Sequence, residues 1–437
     1  IGVIMDVVYN HMYSAQDSCL DKTVPDYYFR KDGDKYTNGS GCGNETATER
    51  SMMRKYIVDS CVYWATEYHV DGFRFDLMGC IDQETMLAVR AALDEIDPNI
   101  IILGEGWTGG TSGLIANEQT NKRVTYKVPG IAAFSDDIRD AIKGSVFDSY
   151  DNGFISGKSG QEIGIQYGVV AAVQHSGINY SAYEKTTGSW AGDPGQCITY
   201  SSCHDNLTLW DKIYYSAPDA TEAEKLSMNK LSAAIIYTAQ GVPFMLSGEE
   251  MLRSKPIEGE NGEYSHNSYN LNDYTNSIKW DTLEDENVAD MYEYYKGLID
   301  FRQAHSGLRM TTTEDVENNL TFMEVEQKNV VAYTIANSPN GEKAKNIMVI
   351  YNGNKEAVDI TLPDGKWNIY IDGEKAGTEV LSTVEGTVSV DGISACVLVQ
   401  EGANTILIVG IGIAILAIIS GIVILVVVSR KKKVKKA

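Results

Sequence analysis

The first 305 residues repeat one arrangement, a short apolar run followed by a stretch with helical periodicity. This alternation is typical of a parallel sheet, because each return to the same end of the sheet needs a crossover helix. The carboxyl ends of such strands meet at one edge, so residues far apart in sequence can form one site there. The apolar runs are 2–9, 70–75, 99–107, 131–135, 197–202 and 242–247.

Eight strands alternating with helices would close into a (β/α)8 TIM barrel, and six strands are present. We therefore predict an α/β fold over residues 1–310, a TIM barrel that lacks its first strands. The first residue, Ile1, already lies in an apolar run. We accordingly expect the two remaining strands to lie upstream of it.

The pattern changes after residue 310. Residues 311–400 hold short alternating runs separated by turns rich in Gly, Asn and Asp, which predicts an all-β sandwich domain. Residues 405–428 carry no charge and are rich in Ile, Val and Leu, so they are predicted to form a transmembrane helix. The basic segment 429–437 would then be a cytoplasmic tail, with the rest of the chain outside a bacterial cell.

The composition excludes some classes of function. A net charge of −23 makes nucleic acid an unfavourable partner and suits a neutral substrate. The seven cysteines include no CxxC pair, which gives no indication of a zinc site or a disulfide framework. We therefore predict no metal centre and no required cofactor.

Three acids each follow a predicted strand: Asp76, Glu105 and Asp205. Retaining glycoside hydrolysis needs two close carboxylates, one as a nucleophile and one as a proton donor with a raised pKa. Arg74 would lie on the same face of its strand as Asp76 and could keep that carboxylate ionised. For Asp76 alone, the competing interpretation is a cap of the next helix.

Four segments carry a family resemblance by their residues, order and spacing. Together they resemble the motif regions of the α-amylase superfamily, glycoside hydrolase family 13, and GEGW at 104–107 is similar to the type I pullulanases. The stretches at 133–144, 247–250 and 267–270 are similar to that group as well. The four segments are DVVYNH at 6–11, GFRFD at 72–76, GEGW at 104–107 and SCHDN at 202–206.

The resemblance implies roles for individual positions. Asp76 would be the nucleophile, Glu105 the acid/base and Asp205 the stabiliser of the transition state. Five further residues would bind the glucan: His11, Arg74, His204, Trp107 and Asn206. The position of Asn10 is used for Ca²⁺ in many amylases, and whether a metal binds here is left open.

The leading hypothesis is a debranching hydrolase of α-1,6-glucosidic bonds in pullulan, starch or limit dextrins. Its partners would be the α-glucan and, through segment 405–428, the membrane. One alternative is an α-amylase or amylopullulanase acting on α-1,4 bonds. Another, of a different class, is a non-catalytic membrane-anchored protein that binds glucan or associates with a transporter, as transporter heavy chains that resemble this superfamily do.

Overall fold

A six-stranded parallel sheet forms the first layer of the computed structural model, which describes residues 1–183, 188–260 and 262–402. Its strand order is β1-β4-β5-β6-β7-β8, so successive long crossovers add each strand beside the last. The strands are β1 (Ile4–Val7), β2 (Lys31–Asp32), β3 (Lys35–Tyr36), β4 (Gly72–Phe75), β5 (Ile101–Gly104), β6 (Ala132–Phe134), β7 (Cys197–Thr199), β8 (Val242–Pro243), β9 (Leu320–Phe322), β10 (Val330–Ile335), β11 (Asn346–Asn352), β12 (Val358–Ile371), β13 (Ser382–Val390) and β14 (Ser394–Gln400).

Helices connect these strands and cover the sheet. Helix α2 buries one apolar stripe with Met53, Ile57, Cys61 and Ala65, each one turn apart, whereas α7 is buried on every side from Met228 to Thr238. The α-helices are α1 (Cys19–Thr23), α2 (Ser51–Glu67), α3 (Gln83–Asp94), α4 (Asp136–Lys143), α5 (Glu162–Val169), α6 (Leu209–Ser216), α7 (Glu222–Thr238), α8 (Asp273–Asn276), α9 (Glu286–Ala304) and α10 (Thr313–Asn319).

The parallel sheet is open at both edges, which fits the predicted barrel that lacks its first strands. Within the described ranges, β1 pairs only with β4 and β8 only with β7. Ile4 on β1 and Val242 on β8 are correspondingly 42% and 43% exposed. The strands are also shorter than the apolar runs, because an apolar run extends past the residues that make ladder hydrogen bonds.

The all-β region is one continuous antiparallel sheet, so the prediction of a two-sheet sandwich is corrected. Its order is β13-β12-β14-β11-β10-β9. The register of β12 against β13 shifts between Thr361 and Lys366, and the sheet bends there. The bend lets both halves of β12 contribute to one core, in which Ile360 and Trp367 pack with Leu398.

The predicted C-terminal transmembrane helix is a second correction to the fold. Across 1–183, 188–260 and 262–402, the helices are too short or too polar to cross a bilayer. The longest of them, α9, carries several charges along its length. The predicted helix 405–428 and tail 429–437 lie outside the described residues. The transmembrane helix is therefore removed from the description of the fold. The location outside a bacterial cell remains a prediction.

Candidate active site

Asp76 and Glu105 leave adjacent parallel strands at the same level. Phe75, the last residue of β4, is in register with Gly104, the last residue of β5. Asp76 directly follows the last residue of β4 and Glu105 directly follows the last residue of β5, so both side chains lie at the carboxyl edge of the sheet. The sequence pattern of a strand followed by an acid thus becomes a pair of neighbouring carboxylates.

The guanidinium of Arg74 bridges these two carboxylates. Its Nη1 lies 3.2 Å from Asp76 Oδ1 and its Nη2 lies 2.6 Å from Glu105 Oε1. Nη1 also lies 2.9 Å from Asp6 Oδ1, on β1. One planar cation therefore contacts three acids that stand on or just after three different strands. The two predicted reactive carboxylates contact different terminal nitrogens of this guanidinium.

The second oxygen of Asp76 is held by Asn10. The Asn10 amide donates to Asp76 Oδ2 at 2.7 Å and to the Asp76 carbonyl oxygen at 2.8 Å. Its own oxygen lies 2.6 Å from His11 Nδ1, so His11 is oriented through the same amide. Both carboxylate oxygens of Asp76 thus have a donor, and these contacts hold the carboxylate in one orientation.

The environment of Glu105 is different. Its side chain is buried, and its pKa is raised to about 7, mainly by burial and to a smaller extent by the nearby carboxylates of Asp76 and Asp205. Arg74 and the Leu77 N–H, which donates to Oε2 at 2.9 Å, act in the opposite direction. A carboxyl group with a pKa near neutrality can deliver a proton and later recover one.

Gly79 lets the loops after β4 and β5 pack together. Its N–H donates to the carbonyl oxygens of Glu105 and Trp107, both at 3.2 Å. A Cβ at this position would stand 2.5 Å from the backbone carbonyl of Trp107. A larger residue would therefore push away the loop that carries Trp107.

The third acid comes from the loop after β7. His204 Nε2 lies 3.6 Å from Asp205 Oδ1, and both side chains are more than half exposed. The adjoining Asn206 has φ +60°, a left-handed conformation that Asn tolerates better than most residues. This turn directs the His204–Asp205 pair toward the loops after β4 and β5.

All eight predicted site residues line one cavity of about 1060 Å³. The cavity brings together residues spread over most of the α/β region of the chain. They are His11, Arg74, Asp76, Glu105, Trp107, His204, Asp205 and Asn206.

Known proteins resemble both regions of the chain. Residues 316–375 match the family model described as "Pullulanase, all-beta domain". The pullulanase of Bacillus subtilis is 36% identical over 403 residues, which cover 91% of this chain and 53% of the relative. The pullulanase of Klebsiella pneumoniae is 32% identical, over 66% of this chain and 29% of the relative.

Solved structures agree. The pullulanase of Bacillus acidopullulyticus superposes with a TM-score of 0.84 at 42% identity, covering 92% of this chain and 46% of the other. That of Paenibacillus barengoltzii, solved with maltohexaose and α-cyclodextrin, gives 0.82 at 39% identity over 92% and 59%. The chain is a pullulanase homologue. It spans about half the length of the curated and solved pullulanases named here, apart from the Klebsiella relative, of which it spans less.

Sequence reasoning about this pullulanase homologue missed an aromatic wall of the cavity. Phe134, Tyr200 and Phe244 stand at or just after the ends of β6, β7 and β8 and pack edge to face, with ring centroids 5.1 to 6.3 Å apart. Arg139 donates to the Tyr200 hydroxyl at 2.9 Å. An aromatic residue at three successive strand ends was the signal that could have found this wall.

A metal has no evident donor set in the described part of the homologue. No group of three or more His, Cys, Asp or Glu side chains in residues 1–183, 188–260 and 262–402 could hold one. The Asn10 amide is engaged with Asp76 and His11. The expectation that no cofactor is required stays a prediction.

Proposed function

We propose that this chain carries the catalytic machinery of a retaining glycoside hydrolase that cleaves α-1,6-glucosidic bonds in pullulan, starch or limit dextrins. The observation that carries the proposal is the Arg74 bridge between Asp76 and Glu105. It joins the Asp76 carboxylate to the carboxyl group of Glu105, whose pKa is about 7. The similarity to pullulanases solved with maltohexaose or maltotetraose supports an α-glucan as substrate.

In the first step, the Asp76 carboxylate attacks the anomeric carbon as the bond to the leaving oxygen breaks. Glu105 gives its proton to that oxygen, and a glycosyl ester forms on Asp76. Arg74 holds the nucleophile in place during the attack, and ionised Glu105 then pairs with its guanidinium. Asp205 stabilises the positive charge that develops on the sugar ring.

In the second step, Glu105 takes a proton from water while the water oxygen attacks the anomeric carbon. The bond to Asp76 breaks, and the carboxylate is regenerated with its Asn10 and Arg74 donors. His11 and His204 would bind the sugar at the cleavage point. Trp107 offers an aromatic surface for a glucan branch, and Asn206 completes the polar wall.

The test compares two Asp→Asn variants of the full-length protein on pullulan. Asp76→Asn removes the nucleophile without changing the shape of the side chain, so we expect maltotriose release to fall by at least about 10⁴-fold while glucan binding persists. Asp59→Asn is the matched control, because Asp59 lies on the outside of α2, away from the cavity, and pairs with Lys55 at 2.5 Å.

Three outcomes of that test would reject the proposal or part of it. Products of α-1,4 cleavage would favour the amylase alternative. Binding without turnover in the unmodified protein would favour the non-catalytic alternative. Equal activity of the two variants would remove Asp76 as nucleophile.

A further inference from the structure

The Asp205 carboxylate has few contacts that could hold it in position. Its side chain is 56% exposed and lies 3.6 Å from Nε2 of His204, a side chain that is itself 60% exposed. A group that stabilises a transition state has to be held near its productive position before the reaction. The position of the Asp205 carboxylate must therefore depend on how firmly the backbone of His204 and Asp205 is held.

Buried charged side chains hold that backbone along its length. Glu249, from the turn after β8, accepts hydrogen bonds from Ser201 Oγ at 3.2 Å and from Ser202 Oγ. Lys143, at the end of α4, reaches the Leu207 carbonyl oxygen at 3.4 Å. Both are at most 6% exposed, so these attachments are shielded from competing water.

The attachment nearest to the reactive pair is made by Lys255. Its ammonium donates to the His204 carbonyl oxygen at 2.8 Å. Among the described residues, no carboxylate forms an ion pair with the Lys255 ammonium, although Lys255 is only 2% exposed. A buried ammonium is costly unless it is well paired, and lysine is rarely found fully buried.

Asp211 fixes the backbone from which Lys255 projects. Its buried carboxylate accepts the Lys255 N–H at 2.8 Å and the Ser254 hydroxyl. Burial lowers the pKa of Lys255, whereas the charge of Asp211 opposes that change. The backbone of Lys255 is thus held by Asp211, while its ammonium group donates to the His204 carbonyl oxygen.

We propose that Lys255 is a positioning residue for Asp205. The carbonyl of His204 and the N–H of Asp205 belong to one rigid peptide plane. Fixing that oxygen therefore fixes the plane from which the Asp205 side chain departs, while the side chain stays free to face the sugar. This inference rests on the proposed hydrolysis, in which Asp205 stabilises the transition state.

The test is a Lys255→Met variant of the full-length protein, compared with Lys230→Met. Lys230 is a matched control, since it is also buried and its ammonium also donates to a backbone carbonyl, that of Glu374 at 3.2 Å. It lies on α7 and pairs with Asp290 on α9, away from the cavity.

We expect Lys255→Met to lower kcat on pullulan by about 10- to 100-fold with little change in KM, because misplacement affects the transition state most. Lys255→Arg, which keeps a cationic donor, should recover part of the loss. Lys230→Met should keep the kcat of the unmodified protein. Equal kcat in the two Met variants, or a change confined to KM, would overturn the proposal.

Deuterium uptake by the backbone amides of 203–206 separates this proposal from the proposed function. We expect faster uptake in Lys255→Met than in Lys230→Met, whether or not the protein hydrolyses pullulan. Unchanged uptake would overturn the positioning role. An inactive unmodified protein with increased uptake in Lys255→Met would reject the hydrolase proposal and leave the positioning of the loop standing.

Discussion

At the scale of single residues, the site depends on two carboxylic acids that occupy different environments. Asp76 is one-quarter exposed and has an amide donor from Asn10 and a guanidinium donor from Arg74. Glu105 is buried, and this raises its pKa to about 7 although it contacts the same guanidinium. Environments that separate the behaviour of two acids in this way assign one as nucleophile and the other as proton donor.

This separation predicts the pH dependence of the reaction. Glu105 must be protonated in the first step, so kcat/KM should fall as the pH rises through about 7. Glu105→Gln cannot deliver a proton, and we expect its activity on pullulan to fall by about 10²- to 10⁴-fold. The alkaline limb of the pH–rate profile should be absent in the Glu105→Gln variant. The same limb in the Gln variant would show that another group titrates.

At the scale of elements, the loop from β4 to α3 contains two aspartates with different roles, Asp76 and Asp82. The cap of α3 is Asp82, whose Oδ1 accepts the Thr85 N–H at 2.9 Å. The same oxygen lies 3.1 Å from Arg54 Nη2, on α2. The capping role that the sequence allowed for Asp76 is therefore taken by Asp82, and Asp76 is left to line the cavity.

Asp82→Ala should accordingly destabilise the protein without changing its chemistry. Loss of the cap and of the contact with Arg54 should lower the free energy of unfolding by about 1–2 kcal/mol. The kcat at a temperature well below unfolding should match that of the unmodified protein. Chemical denaturation and initial rates measure the two quantities, and a large fall in kcat would mean that the cap also positions Asp76.

At the scale of the whole molecule, the antiparallel sheet packs on the helical layer of the α/β region through buried tyrosines. The Tyr333 hydroxyl donates to the Thr238 carbonyl oxygen at 2.8 Å, at the end of α7. The Tyr351 hydroxyl lies 2.5 Å from Thr238 Oγ1 and 3.2 Å from the Tyr333 hydroxyl. Both rings are fully buried and belong to the same apolar cluster as Phe73 and Ile57.

A shared core predicts that the two regions unfold together. Tyr351→Ala should cost about 3–5 kcal/mol, the usual loss for deleting a large buried aromatic ring. Thermal unfolding should remain a single transition at a lower temperature, seen equally by tryptophan fluorescence and by far-ultraviolet circular dichroism. Two separate transitions would show that the sheet and the α/β region are independent units. Tyr269→Ala is a suitable control, because Tyr269 is 83% exposed.

Local patterns predicted most of the elements but not how they are paired. In the sequence, residues 83–94 already predict a helix, and α3 has these bounds because its cap and apolar face are local features. In the sequence, Asp364 and Gly365 predict a turn between apolar runs at 358–362 and 367–371, but β12 spans both runs because it pairs with β13 on each side of the register shift between Thr361 and Lys366. Within β13 the alternating pattern predicts a strand only at 388–390, because the rest of this exposed edge strand has few apolar side chains.

The sequence by itself determined which strands end in acids, and four short motifs indicated the family, because these features lie within a few consecutive residues. Only the tertiary structure decided how the acids behave. The raised pKa of Glu105 comes from burial, and the Arg74 bridge and the Lys255 contact join residues from separate strands and loops. Burial and electrostatic interaction depend on distances in space, and these are fixed only when the chain has folded.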